Sequence, residues 1–162
     1  MTVKEGDEAP AFDLPSDGGG RVSSAALEGR PYVIYFYPKD DTPGCTKEAL
    51  GFAESYPAFA ELGVEVLGVS KDSATSHDRF KAKHALCFPL ASDEAGGVVE
   101  AFGAWIEKSM YGKKYMGVER ATFLVDTDGR VARAWRGVKV PGHVEEVLAA
   151  ARGLAAAAPA AA

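Results

Sequence analysis

The chain has 162 residues, 47% of them hydrophobic, which is enough for one ordinary core and short for two. A net charge of -5 and a pI near 5.2 accompany scattered lysines and arginines, which excludes the electrostatic footprint of a nucleic-acid or anionic-membrane binder. The sequence opens with no apolar signal core and contains no apolar run of the roughly 18 residues that a membrane span needs, so a cytoplasmic protein is expected. Residues 1–154 read as a single domain, and the alanine-rich stretch 155–162 as a tail that frays.

In chain order, residues 9–14 are a short extended piece, and the turn cluster 15–20 suggests a hairpin with residues 21–23. Ser24 is placed to cap a short helix through Leu27. Residues 32–37 form a β-branched and aromatic run of the kind that fills a strand buried on both faces. Pro38 ends it, Asp40 and Asp41 are turn residues, Thr42 is a good N-cap, and Pro43 suits the first helical position.

The following helix has apolar residues at near-helical spacing over 49–62, and Pro57 is expected to kink or interrupt it before Gly63 ends it. Residues 64–70 read as a buried strand, and Asp72 or Ser73 as the cap of a helix over 74–85 with a charged outer face. A short strand is expected at 88–91, a turn at 93–97 and a short helix at 98–102. The lysine- and glycine-rich stretch 109–117 reads as a loop with extended ends. Residues 120–126 and 131–135 read as a hairpin about the turn 127–129, and Gly142-His143 as the start of a terminal helix. Alternating strands and helices give an α/β architecture, a mixed central sheet flanked by helices.

Cys45 falls at the third position of the first long helix, where unpaired backbone N–H groups and the positive end of the helix dipole favour a thiolate. Its polar neighbours, Thr42, Gly44, Thr46, Lys47 and Glu48, suit a reactive thiol better than a packed one. The cysteines are Cys45 and Cys87, which is no disulfide framework. His77, His84 and His143 lack the spacing of a zinc site, so no metal is expected.

The stretch Pro38-x-x-x-Thr42-x-x-Cys45 resembles the active-site motif of the peroxiredoxins. The longer string from Tyr37 to Glu48, the block Lys108-Ser-Met-Tyr-Gly-Lys-Lys-Tyr-Met-Gly-Val-Glu-Arg-Ala-Thr-Phe-Leu-Val-Asp126 and Gly142-His-Val-Glu-Glu-Val-Leu148 resemble the bacterioferritin comigratory protein (peroxiredoxin Q) branch. The resemblance covers roughly residues 3–151. It implies a thioredoxin-like fold with an N-terminal β-hairpin extension, and a thiol-dependent peroxidase acting on hydrogen peroxide and small organic hydroperoxides in antioxidant defence.

On that resemblance Cys45 is the nucleophile, Arg120 the cation beside the sulfur, Thr42 the group that orients the peroxide, and Pro38 the residue that shields the pocket and fixes the turn. Glu48 and Tyr37 are possible supporting residues, with Glu48 a partner for an arginine. Reaction leaves a sulfenic acid that a further thiol must reduce. The branch commonly places a resolving cysteine where this chain has Leu50 or Lys81, so the sequence departs from both patterns. Cys87 remains, either as packing at a strand start or as the resolving thiol, and the two readings stay open. Thioredoxin or another thiol reductant is the implied partner, the branch is often monomeric, and no organic cofactor is implied.

The competing readings are a peroxide-sensing redox switch and a thiol-disulfide oxidoreductase on the same fold. The second would want Cys-x-x-Cys, whereas the chain has Cys45-Thr-Lys-Glu48.

Overall fold

The structure is a computed structural model that describes residues 3–157. A five-stranded sheet lies at its centre, in the order β5 (Leu90–Ser92), β4 (Glu65–Ser70), β3 (Tyr32–Phe36), β8 (Ala121–Val125) and β9 (Val131–Trp135). Strand β3 runs parallel to β4, which is parallel to β5. On its other side β3 pairs antiparallel with β8, and β8 with β9.

The alternation of side chains along β3 divides the core in two. Val33, Tyr35 and Tyr37 face one cluster with Phe52 and Phe59 of helix α1 (Pro43–Glu61), Phe80 of α2 (Ala74–His84), and Val144, Val147 and Leu148 of α4 (His143–Ala157). Tyr32, Ile34 and Phe36 face the other, with Phe12, Val99 of α3 (Gly97–Ala101), Phe102 and Val118. All five β3 residues are buried, as a strand covered on both faces should be. The N-terminal hairpin is present, with β1 (Asp13–Pro15) antiparallel to β2 (Arg21–Ser23).

Four expectations need correction. The stretch after Ser24 is a succession of turns rather than a helix. The expected loop at 109–117 is a β-hairpin, β6 (Trp105–Met110) with β7 (Lys113–Val118), closed by Tyr111 (φ 52) and Gly112 (φ 78). Two successive positive φ values are the geometry of the tight turn whose twist matches paired strands. The strand expected at 88–91 starts two residues later.

The fourth is the interruption allowed for at Pro57, which instead lies inside a continuous α1. A proline has no N–H to donate to the carbonyl four residues back, which is Ala53. Cys87 Sγ donates to that oxygen at 3.6 Å instead. At the other end of the chain α4 runs on to Ala157, and of the expected frayed tail residues 158–162 lie outside the described residues.

Candidate active site

Strand β3 ends at the centre of the sheet, and the chain turns through Pro38–Thr42 into α1. Thr42 occupies the N-cap and Pro43 the first turn, as the sequence implies. The Thr42 carbonyl accepts from Thr46 N at 2.8 Å, but its hydroxyl does not cap the helix and donates to Lys39 O at 2.9 Å. With its proton committed there, the Thr42 oxygen keeps free lone pairs and can accept from the O–H of a ligand.

Cys45 is 2% exposed. Arg120, in the turn between β7 and β8, comes to it across the sheet end, because β8 lies beside β3 and begins where β3 finishes. Its Nη2 donates to Cys45 Sγ at 3.3 Å and its Nη1 to Glu48 Oε1 at 2.7 Å. Glu48 lies one turn along the same helix face as Cys45, so one guanidinium fork spans both residues.

Glu48 is fully buried and its Oε2 has no hydrogen-bond partner among the described residues. Burial pushes its carboxyl up to about 7 against the opposing charge and hydrogen bond of Arg120. For Arg120 burial works in the other direction, but Glu48 and Cys45 outweigh it and hold the guanidinium charged.

The structure joins Cys45, Arg120 and Glu48 by hydrogen bonds and places Thr42 at the N-cap of the helix that carries Cys45. Pro38 is exposed at the strand end. Tyr37 does not turn to the sulfur: its hydroxyl donates to Asp40 Oδ1 at 2.6 Å. Cys87 is exposed and lies beside Ala53, eight residues along α1 from Cys45, or about 12 Å of helix rise. Both thiols are free.

Three residues with a bearing on the site escaped the sequence reading. Lys108, on the β6–β7 hairpin, is half-buried, and its ammonium is disfavoured first by burial and then by the charge of Arg120, with Cys45 opposing, which places a second cation in the field of the thiol. It stands in the block that carries the resemblance, which was the available signal. Asp40 and His77 form a buried pair at 2.7 Å that anchors the turn before Cys45. They are far apart in sequence, and no local spacing announces them. Among the described residues no group of three or more His, Cys, Asp or Glu could hold a metal ion, and no helix is long and apolar enough to cross a membrane.

A mixed sheet with a buried thiol at the start of its first long helix, and an arginine bound to the sulfur, defines a peroxiredoxin, a thiol-dependent peroxidase. The chain belongs to the AhpC/TSA family, whose model matches residues 5–134.

It is 48% identical over 148 residues to peroxiredoxin Bcp of Bacillus subtilis, covering 91% of this chain and 94% of that one. It is 51% identical over 144 residues to peroxiredoxin Bcp of Xanthomonas campestris, covering 88% and 90%. Among solved structures, Xanthomonas campestris peroxiredoxin Q superposes with a TM-score of 0.85 at 49% identity, covering 89% of this chain and 91% of that one. A further structure of the bacterioferritin comigratory protein from Xanthomonas campestris, studied for its alkyl peroxide reduction activity, matches with a TM-score of 0.85 at 48% identity.

Proposed function

We propose that the protein reduces hydrogen peroxide and small organic hydroperoxides with Cys45 as nucleophile, Arg120 and Thr42 holding the peroxide, and Cys87 resolving the oxidised product. The observation that carries this reading is the single hydrogen bond from Arg120 Nη2 to Cys45 Sγ at 3.3 Å, made to a buried sulfur.

The Cys45 thiolate attacks one peroxide oxygen, the O–O bond breaks, and the second oxygen leaves as an alkoxide or hydroxide that takes up a proton. Arg120 is permanently charged and aims one N–H donor at the sulfur, from which negative charge must move onto the departing oxygen. The Thr42 hydroxyl, already donating to Lys39 O, accepts from the peroxide O–H and so sets its direction. Pro38 fixes the turn in which Thr42 stands, and Glu48 holds Arg120 by its second nitrogen. The product is a Cys45 sulfenic acid.

Attack by the Cys87 thiol on that sulfenic sulfur releases water and forms a disulfide. The folded helix keeps the two apart, since Ala53 lies about 12 Å of rise beyond Cys45 while a disulfide needs Cα atoms within about 7 Å. Unwinding as far as Ala49 removes the obstacle. Four freed residues extend up to about 14 Å, whereas Ala49 and Ala53 are separated by only about 6 Å of rise. The proline-freed carbonyl of Ala53 keeps Cys87 against the part of α1 that stays wound.

Thioredoxin then returns both thiols by dithiol exchange. The reading takes the protein as a cytoplasmic monomer, in keeping with a sequence whose two cysteines make no disulfide framework.

The test is the mass and free-thiol count of wild type, Cys45→Ser and Cys87→Ser after one equivalent of hydrogen peroxide, followed by turnover with thioredoxin. Wild type is expected to lose both thiols and about two mass units, and Cys87→Ser to gain oxygen on Cys45. An oxygen adduct on wild-type Cys45 with Cys87 still titratable would remove Cys87 from the cycle. Peroxide consumption undiminished in Cys45→Ser would undo the nucleophile itself.

A further inference from the structure

The turn that delivers Cys45 is held from behind by helix α2. Asp40, 7% exposed, accepts three bonds: Tyr37 O–H on Oδ1 at 2.6 Å, and Ser76 O–H at 2.8 Å and His77 Nδ1 at 2.7 Å on Oδ2. Its backbone N–H donates to Asp72 Oδ2 at 2.9 Å, and Asp72 is in turn fixed by Ser70 Oγ at 2.6 Å. On the outer side Asp41, in the left-handed region at φ 59, accepts from Lys83 Nζ at 2.7 Å and His84 Nε2 at 3.0 Å of the same helix.

His77 is fully buried, and its two nitrogens face different demands. Nε2 lies 2.9 Å from the carbonyl oxygen of Ala91 on β5, which only accepts, so Nε2 carries a proton. Nδ1 lies against Asp40, so this contact needs a second proton, and the count is the same whether the nitrogen or the carboxyl holds it. A histidine and an aspartate that share this proton form a closed pair. Without it, the Asp40 carboxylate would face a bare nitrogen lone pair in a buried site.

We propose that His77 is a positioning residue for the peroxide site: protonated between Ala91 and Asp40, it fixes the turn that presents Thr42 and the first turn of α1 to Cys45. The inference rests on Cys45 being the peroxide-reactive group. Burial disfavours the imidazolium, but the hydrogen bond and charge of Asp40 outweigh it and raise the His77 pKa above its ordinary value.

The titratable groups that face the ring are Asp40 and Tyr37 from the turn after β3, and Asp72 from the turn before α2. Burial pushes Tyr37 well above the ordinary range for a phenol, so it remains a donor to Asp40 throughout. Because the folded-state pKa of His77 is raised, the pair is intact below it and opens as the pH rises through it. The turn then loses its inner anchor and keeps the outer one, Asp41.

Two variants separate positioning from simple stability. In His77→Asn the shorter amide cannot span both Ala91 and Asp40. In Asp40→Asn, His77 carrying its proton only on Nε2 still donates to Ala91, and the new amide donates to Nδ1, so the network closes without an ionised pair.

The measurements are amide-exchange protection factors for residues 39–46 and the second-order rate of Cys45 with hydrogen peroxide, between about pH 6 and 10. In His77→Asn, exchange in this segment is expected to be at least tenfold faster and peroxide reaction at least tenfold slower. In wild type, protection of the segment falls as the pH rises, and in Asp40→Asn it is independent of pH.

Protection and rate in His77→Asn equal to wild type would overturn the proposal. So would one pH profile shared by wild type and Asp40→Asn, a comparison that stands even if His77→Asn does not fold. If protection follows the expected pattern while wild-type Cys45 ignores peroxide, it is the assignment of Cys45 that fails and the anchoring by His77 that holds.

Discussion

Arg120 Nη2 lies 3.2 Å from the point where a Cβ on Gly44 would stand. The residue before the nucleophile is therefore small because the guanidinium passes over it on the way to the sulfur. Gly44→Ala should raise helix stability, since alanine is favoured over glycine by up to about 1 kcal/mol in a helix. The added methyl must move Arg120 by a few tenths of an ångström, which lengthens its bond to Cys45. Stopped-flow peroxide reduction should fall about tenfold while the melting temperature holds or rises, a loss of roughly 1.4 kcal/mol of transition-state stabilisation. A rate equal to wild type would show that the arginine has slack at this point.

Glu48 gives a stability signature of its own. Its folded-state carboxyl is pushed up to about 7 by burial, against an ordinary value of 4.5, so between those limits the native state holds a proton the unfolded chain has released. Stability contributed by the neutral acid is complete below about 4.5 and is lost as the pH rises through 7. Glu48→Gln keeps an acceptor for Arg120 Nη1 and replaces the unpartnered Oε2 with an amide. In urea titrations at several pH values, the variant should gain on wild type by about 1–3 kcal/mol between pH 4.5 and 7 and run parallel above. A difference that does not change with pH would mean the carboxylate stays ionised throughout.

The beginning of α1 was legible because its signals are local: Thr42, Pro43 and the polar neighbours of Cys45 act within a few residues of one another. The pairing of Arg120 with Cys45 is not local, and only the resemblance of whole blocks suggested it. The β6–β7 hairpin escaped because most of its residues are exposed, so neither strand shows the alternation that burial of one face imposes. Pro57 misled for a related reason: the helix survives it where a distant residue, Cys87, meets the carbonyl it leaves free. The Asp40–His77 anchor likewise joins a turn to a helix that comes much later in the chain, with no residue pattern to reveal it.

Tyr35 and Gly68 are a close approach in the sheet. A Cβ on Gly68 would lie 2.9 Å from both Cζ and the hydroxyl of Tyr35, whose ring is fully buried and stacked on Phe52 at 4.6 Å. Gly68→Ala should destabilise by about 1–3 kcal/mol, because the ring has no free space to yield. The Tyr35 hydroxyl has no hydrogen-bond partner among the described residues. Tyr35→Phe should therefore stabilise by about 1 kcal/mol and recover part of the Gly68→Ala loss in the double variant. Thermal melts of the four proteins give the coupling directly, and strict additivity would show that the contact is not the source of the strain.

His143 sets the acid limit. It is 4% exposed, with Nε2 2.8 Å from Thr122 Oγ1 and its ring edge-on to Trp135 and Phe52. Burial, helped by the charge of Arg120 and opposed by Glu146, pushes its pKa down to about 4. Between 4 and the ordinary 6.5 the unfolded chain binds a proton that the native state refuses, so this stability is present above about 6.5 and lost as the pH falls to 4. The full effect is about 3 kcal/mol. Glu48 pulls the other way across an overlapping range, so wild type alone will show a shallow dependence. His143→Asn carries a fixed packing cost at every pH but no titration, so its deficit relative to wild type should shrink by about 3 kcal/mol between pH 6.5 and 4. Denaturant midpoints measured across that window decide it: a deficit of constant size would mean that the imidazole is protonated in the folded protein too, and that the Thr122 contact is made to a cation.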